Sequence, residues 1–314
     1  LPIRLQQVPV GHAVRFTYLA TAAAMLCRES PDDELRSALE QAWRRMVSRR
    51  MYVTGGLGSL PLIEGFGRDY ELEPEVAYAE TCAAIGCVRW NQAMGALTGD
   101  ACYDDQLEWQ LYNAVAVGMG SDGRSYLYNN PLTCRGNITR VPWYLVPCCP
   151  SNLSRTWASL ADALVRPTAE GLQITQYVSG EVEFGDGCLS IDSELPWNGC
   201  VRLGLQLDRP RTLTLDLRLP SWAGEIEIHV NQVPDPLVAQ PGSGTATACG
   251  YSPTAAGWHR LRREWRSGDV VELRMTMPIR ALRQDSRIPG CGGMSAIARG
   301  PLVYCLEDVD NPGD

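Results

Sequence analysis

The chain has 314 residues, 45% of them hydrophobic and 20% charged, a globular composition with too much apolar side chain for disorder. A formal charge of -8 and a pI near 5.1 leave no basic field to hold a phosphate backbone, which excludes nucleic acid as a partner. The longest apolar stretch near the start, residues 19–26, falls far short of the ~20 residues that cross a bilayer, so no membrane span is expected.

Residue 1 is Leu, and no basic segment with an apolar run follows it, so no signal peptide is expected within this sequence. The length itself favours about two domains. "GHAVRFTYLATAAAML", from residue 11, carries two apolar stripes, Val14/Tyr18/Ala22/Met25 and Phe16/Leu19/Ala23/Leu26. That pattern predicts an inner helix over 11–27 covered on both sides. "SPDDELRSALEQAWRRM" follows, with Ser30 as N-cap, Pro31 in the first turn and Leu35, Leu39, Ala42 and Met46 on one stripe, predicting a one-sided helix. Further helices are predicted over 82–97, over 101–118 behind an Asp100 cap, and over 151–165. The connections at 53–79 and 119–147 are long enough to suggest functional loops. Alternation of covered and one-sided helices predicts a layered helical barrel.

Near residue 168 the apolar period changes to two. Leu203/Leu205/Leu207, Leu213/Leu215/Leu217/Leu219, Ile226/Ile228/Val230 and Val271/Leu273/Met275/Met277 alternate with polar partners, the pattern of a β-sandwich. Residues 234–250 read as a polar loop inside it and 295–307 as further strand.

The chemistry concentrates in cysteine. Twelve cysteines are scattered without the spacing of a disulfide scaffold and read as mostly reduced, which favours a cytoplasmic location. With only three histidines, any metal site must draw on Cys and carboxylates. In "VPCCPSNLSR", Cys148 and Cys149 stand side by side ahead of a helix. Pro150 favours extended backbone at Cys149, and Ser151 or Asn152 can cap the helix behind it. A buried core pair, a vicinal disulfide, a metal site and an activated thiolate all remain open. Upstream, Glu80 and Cys82 are two apart, so they can act together only where the chain enters a helix. Glu80, Cys82, Cys148 and Cys149 would make a Cys3Glu set, a donor combination that suits tetrahedral zinc.

"MYVTGGLGS" (51–59), "EGFGRDYELEPEVAYAETCA" (64–83), "LTGDACYDDQLEWQLYNAV" (97–115), "YNNPL" (128–132) and "VPWYLVPCCPSNLSR" (141–155) resemble the zinc-dependent β-L-arabinofuranosidases of glycoside hydrolase family 127. In the second half, "LRLPSWAGEIEIHVN", "REWRSGDVVEL" and "ARGPLVYCLE" extend the likeness in order. The resemblance implies a partial (α/α)6 barrel over 1–168, a β-sandwich over 169–280 and the start of further β structure over 281–314. It implies zinc held by Glu80, Cys82, Cys148 and Cys149, with Cys148 as nucleophile, Glu64 as acid/base and His12 as a sugar contact. The implied activity is retaining hydrolysis that releases β-L-arabinofuranose or a similar pentofuranose from a carbohydrate substrate.

Family members are longer chains that carry "GHAVR" well inside the barrel, so the resemblance is to an N-terminally truncated member. With neighbouring helices missing, self-association through an exposed barrel face is expected. "LEPE" at 72–75 departs from the family's Leu-Pro-Asn-Asp. The competing readings are a catalytically impaired, zinc-stabilised sugar-binding relative and a thiol redox protein built on Cys148 and Cys149. His229, His259, Cys27, Cys87, Cys102 and the cysteines of the β half read as structural.

Overall fold

A computed structural model describes residues 2–136, 138–185, 187–235, 250–307 and 310–311. A helical N-terminal part is followed by β-sheets. Helices α1 (Ala13–Glu29), α2 (Asp33–Arg49), α3 (Thr81–Thr98), α4 (Ala101–Gln110) and α5 (Cys148–Ala158) are joined by the two long connections foreseen from the sequence. None of the described helices is long and apolar enough to cross a membrane.

α2 is one-sided, burying Leu35, Leu39, Ala42, Trp43 and Met46. Its cap is Asp32 rather than Ser30: the Asp32 carboxylate accepts from the Leu35 amide at 2.9 Å, and Ser30 instead closes α1. An anionic oxygen at a helix N-terminus outcompetes a neutral hydroxyl two residues earlier. α1 buries one face, Ala13, Phe16, Thr17, Ala20 and Ala24, against α3. The approach is close because Gly86 lacks a side chain; a Cβ there would lie 2.2 Å from the Thr17 hydroxyl. The expectation that both faces are covered fails, since Tyr18, Leu19, Met25 and Leu26 are exposed.

The predicted helix over 101–118 is regular only to Gln110 and becomes a π-turn over Leu111–Val115. Asn113 explains the change: its side-chain amide donates to the Trp109 carbonyl at 2.8 Å, in competition with the helical ladder. α5 begins at Cys148, three residues before the predicted start. Pro150 falls in the first turn, where a missing N–H breaks no helical bond. Neither Ser151 nor Asn152 is the cap.

Strands β1 (Val165–Pro167), β2 (Gly171–Ile174), β6 (Arg211–Leu219) and β9 (Gly257–Trp265) form one sheet, ordered β1-β2-β6-β9. A second is ordered β3 (Gly180–Phe184), β4 (Gly187–Ser193), β5 (Cys200–Leu207), β10 (Val270–Met275), β7 (Ile226–Val230), β8 (Val233–Pro234). A third holds β11 (Ile279–Arg283), β12 (Ser295–Arg299) and β13 (Leu302–Tyr304). The strand predicted over 295–307 is thus broken, at Gly300 with φ +56° and at Pro301. Of the predicted 234–250 loop, 236–249 lie outside the described residues. The alternating leucines share one core, in which Leu215 and Leu217 of the first sheet meet Leu203, Leu205 and Leu273 of the second. His259, read as structural from the sequence, lies buried within β9.

The helical part and the sheets are locked together by charge. Every residue of α4 is buried. From β6 the fully buried Arg218 donates to Asp105 at 2.8 Å and to Glu108 at 2.6 Å. Trp222 Nε1 donates to the other Glu108 oxygen at 2.6 Å. Buried ions are tolerable when each is matched in this way. Further along, Ile288 and Cys291 pack with Tyr52, Leu72, Ala77 and Ala79, bracing the 53–79 loop from the C-terminal side.

Candidate active site

The start of α3 and the start of α5 meet, and their first residues supply the site. Glu80 has extended backbone (φ -63°, ψ 133°) just outside α3 while Cys82 lies in its first turn, so the two side chains escape the angular separation that a continuous helix would impose. Ala79 before them is left-handed at φ 38°. Bonds from the Thr81 amide to the Tyr128 carbonyl at 2.9 Å and from Asn130 Nδ2 to the Ala79 carbonyl at 2.9 Å fix this entry. Cys148 and Cys149 come from the first turn of α5.

The Cys82 and Cys149 sulfurs are 3.3 Å apart and those of Cys148 and Cys149 are 3.9 Å apart. Glu80 Oε1 lies 3.7 Å from Cys148 Sγ and 3.8 Å from Cys149 Sγ. A disulfide would need ~2.05 Å, so the vicinal pair is present as two thiols. A tetrahedral ion with metal–sulfur bonds of ~2.3 Å and metal–oxygen bonds of ~2.1 Å needs edges of about 3.6 to 3.8 Å between its ligands. The four residues therefore form a group able to hold a metal ion.

Electrostatics favour a cation here. Burial, reinforced by the charge of Glu64, pushes the Glu80 carboxyl above the usual range, and burial pushes the Cys148 thiol up to about 11. The Cys149 thiol is raised by its hydrogen bond with Cys82 and by burial. Cys82 is drawn down by that same bond, with Asn152 adding to the effect. Glu80 Oε2 is buried with no hydrogen-bond partner. A largely buried cluster of acidic groups with an unmatched oxygen is costly alone, and a bound cation would reverse the preference of Glu80, Cys148 and Cys149 for their protonated forms.

Beside this group, His12 Nε2 meets Glu64 Oε2 at 2.9 Å. His12 stands at the N-cap of α1 and Glu64 is left-handed at φ 50°. Their backbones are tied by Ala13 N to Glu64 O at 2.9 Å and by Phe66 N to Gly11 O at 2.9 Å. Gly65 is required between them, because a Cβ would come within 2.5 Å of the Gly11 carbonyl. His12, Glu64 and Glu80 lie close enough to form a second potential ligand group, with Glu80 common to both. All six residues singled out from the sequence therefore converge.

Two further side chains adjoin the group, neither of them marked by its spacing as part of a site. Tyr128 places its hydroxyl 3.4 Å from Cys148 Sγ, and Asn152 Nδ2 lies 3.0 Å from Cys82 Sγ. Both fall inside motifs already noted, "YNNPL" and "CCPSN", but nothing in their spacing marks a role. Of the cysteines read as structural, Cys27, Cys87, Cys102 and Cys291 are buried, whereas Cys305 is exposed; Cys249 lies outside the described residues.

Family models match along the chain: the β-L-arabinofuranosidase GH127 catalytic domain over 1–162, the GH127 middle domain over 171–277 and the family 127 C-terminal domain over 279–314. A non-reducing end β-L-arabinofuranosidase of Bifidobacterium longum is 33% identical over 334 aligned positions, covering 100% of this chain and 48% of the relative. A crystal structure of a GH127 β-L-arabinofuranosidase from Geobacillus stearothermophilus T6 is 34% identical with a TM-score of 0.88, covering 100% of this chain and 50% of that one. A GH127 β-arabinofuranosidase structure at 32% identity also gives 0.88, over 98% of this chain and 50% of its own. The chain thus spans about half the length of these relatives. On the catalytic-domain match and the shared fold, the chain belongs to the glycoside hydrolase family 127 β-L-arabinofuranosidases.

Proposed function

We propose that this site carries out retaining hydrolysis of a β-L-arabinofuranoside, or a similar pentofuranoside, with zinc held by Glu80, Cys82, Cys148 and Cys149. One observation carries the reading: Glu80, Cys82 and Cys149 are closed in, whereas Cys148 is partly exposed and faces the Tyr128 hydroxyl. A thiolate must be reachable by an electrophile to react, and Cys148 is the one sulfur of the three that a substrate can approach. The donor set and its edge lengths support zinc. When bound, the ion supplies the positive charge that keeps the thiols deprotonated near neutral pH.

Cys148 is the nucleophile. Its sulfur lone pair attacks the anomeric carbon as the glycosidic C–O bond breaks, and Glu64 gives its proton to the departing oxygen. Glu64 then takes a proton from water, whose oxygen displaces the sulfur and releases the sugar with retained configuration. His12, bonded to Glu64, orients that carboxyl and faces the sugar. Tyr128 directs its hydroxyl at the attacking sulfur.

The helical part is read as a portion of an (α/α)6 barrel, supported by the alternation of the interior α3 with the one-sided α2. The two larger sheets are read as a sandwich, supported by their common core. The chain is read as units of 1–168, 169–280 and 281–314, a division supported by the stretches matched over 1–162, 171–277 and 279–314.

The test is incubation of the zinc-loaded protein with an activated aryl β-L-arabinofuranoside. Aryl alcohol should be released, one pentosyl group should appear on the protein by intact mass, and both signals should be lost in Cys148→Ser. Release that survives Cys148→Ser, or an adduct on another residue, overturns the assignment.

A further inference from the structure

Asn152, in the second turn of α5, has its side-chain amide held at both ends. Tyr18 donates its hydroxyl to Oδ1 at 3.2 Å, and the Arg155 guanidinium donates to the same oxygen. Arg155 also donates to the Tyr18 hydroxyl at 3.3 Å, closing a three-membered brace between α1 and α5. Because both partners are donors, the oxygen must face them and the NH2 must face away. It faces the Cys82 sulfur at 3.0 Å.

Cys82 is only 1% exposed, so water does not reach that sulfur. In the metal-free protein the thiol of Cys149, 3.3 Å away, shares a proton with it. Once every thiol has lost its proton to metal binding, that partner can no longer donate. Asn152 is then the one side-chain donor on the Cys82 sulfur among the described residues. An N–H directed at sulfur favours thiolate over thiol and fixes the direction of its remaining lone pairs.

We infer that Asn152 is a positioning residue for the metal centre: its N–H orients the Cys82 thiolate and tunes the affinity of the site for a thiolate-preferring divalent cation, with Tyr18 and Arg155 as its brace. The inference rests on the reading of Glu80, Cys82, Cys148 and Cys149 as metal ligands. It concerns a residue that touches neither sugar nor metal, and its readout is metal affinity rather than turnover.

The experiment measures zinc affinity by chelator competition on the 314-residue chain and on Asn152→Asp, Asn152→Ala and Tyr18→Phe, with thermal unfolding of each metal-free form. Asn152→Asp keeps an oxygen for Tyr18 and Arg155 but replaces the N–H with a second acceptor aimed at sulfur. It should weaken zinc binding by about a hundredfold, Asn152→Ala by about tenfold and Tyr18→Phe by less, within the range found for outer partners of metal ligands. The metal-free melting points of the Ala and Phe variants should stay near that of the parent. In the cobalt(II) form, the sulfur-to-metal charge-transfer band should move to longer wavelength in Asn152→Ala, because a sulfur without its hydrogen bond donates more readily. Failure of the parent chain to bind zinc refutes the ligand reading itself. Tight binding by the parent with Asn152→Asp equal to or tighter than it, or with an unmoved cobalt band in Asn152→Ala, overturns the role of Asn152 alone. If Asn152→Asp does not fold, Asn152→Ala and its cobalt spectrum decide.

Discussion

Glu64 shows how a residue that spacing could not select becomes distinguishable by its partners. It sits among Asp69, Glu71, Glu73 and Glu75, and as a sequence the run looks like surface charge. In the fold each of the others is already engaged: Asp69 with Arg45, Arg49 and Arg50, Glu71 with the Arg68 amide, Glu73 with the Val76 amide and Glu75 with Arg135. Glu64 instead meets His12, beside the group of Glu80, Cys82, Cys148 and Cys149 that could hold a metal ion. Only the family likeness pointed to it beforehand, because a left-handed loop residue carries no periodic signal. As general acid it should matter in proportion to how much the leaving group needs a proton. Glu64→Gln is expected to slow alkyl arabinofuranosides by about 10²- to 10⁴-fold, while activated aryl substrates lose far less in the sugar-transfer step. Equal losses on both, measured as kcat/KM, would remove Glu64 from the acid role.

At the scale of elements, the loop bearing Glu64 is held to α2 through Asp69. Burial alone would raise the Asp69 carboxyl, but hydrogen bonds from Arg45, Arg50 and Arg49 outweigh it and bring it down to about 2. Arg50 also donates to the Pro9 carbonyl at 2.8 Å, so the same clamp reaches the segment leading to His12. A carboxyl held below its unfolded value of ~3.9 adds stability that is fully present above that pH and is lost as pH falls towards 2. Asp69→Asn should therefore cost about 2 kcal/mol at pH 7. Urea unfolding of parent and variant should show that gap narrowing below about pH 4, whereas a gap of constant size would assign the loss to packing instead. This clamp was not legible in the sequence, since it joins residues about 20 apart across a helix and an irregular loop. Elements with a repeated apolar period were legible: α2, α3, β5, β6, β7 and β10 lie where the pattern placed them. What failed were ends and irregularities, where one side chain decides: Asp32 over Ser30, Asn113 turning α4 into a π-turn, and Pro150 entering α5 rather than preceding it. The site cysteines were legible as a set because thiols are chemically distinctive. Their helical placement was not.

For the molecule as a whole, the outer face of α1 is an apolar surface left exposed. Tyr18, Leu19, Met25 and Leu26, drawn from both predicted stripes, are 36%, 50%, 53% and 61% exposed and share the outer face of a helix whose opposite face is packed on α3. A contiguous exposed patch of this kind marks a contact surface or an association hazard. Its own Tyr18 reaches Asn152 and Arg155, so disturbance of α1 is transmitted towards the site. The 314-residue chain on its own should therefore self-associate as concentration rises, visible by sedimentation velocity, and Leu19→Lys with Leu26→Glu should return it to monomer without changing its zinc content. Its turnover on an aryl β-L-arabinofuranoside should fall about a hundredfold or more below that of the matched relatives, which are about twice as long, because a displacement near 1 Å of reacting groups costs about that much. A monodisperse chain at all concentrations, turning over as fast as the longer relatives, would show that the stripe is inert and that these residues alone hold Cys148 and Glu64 in working geometry.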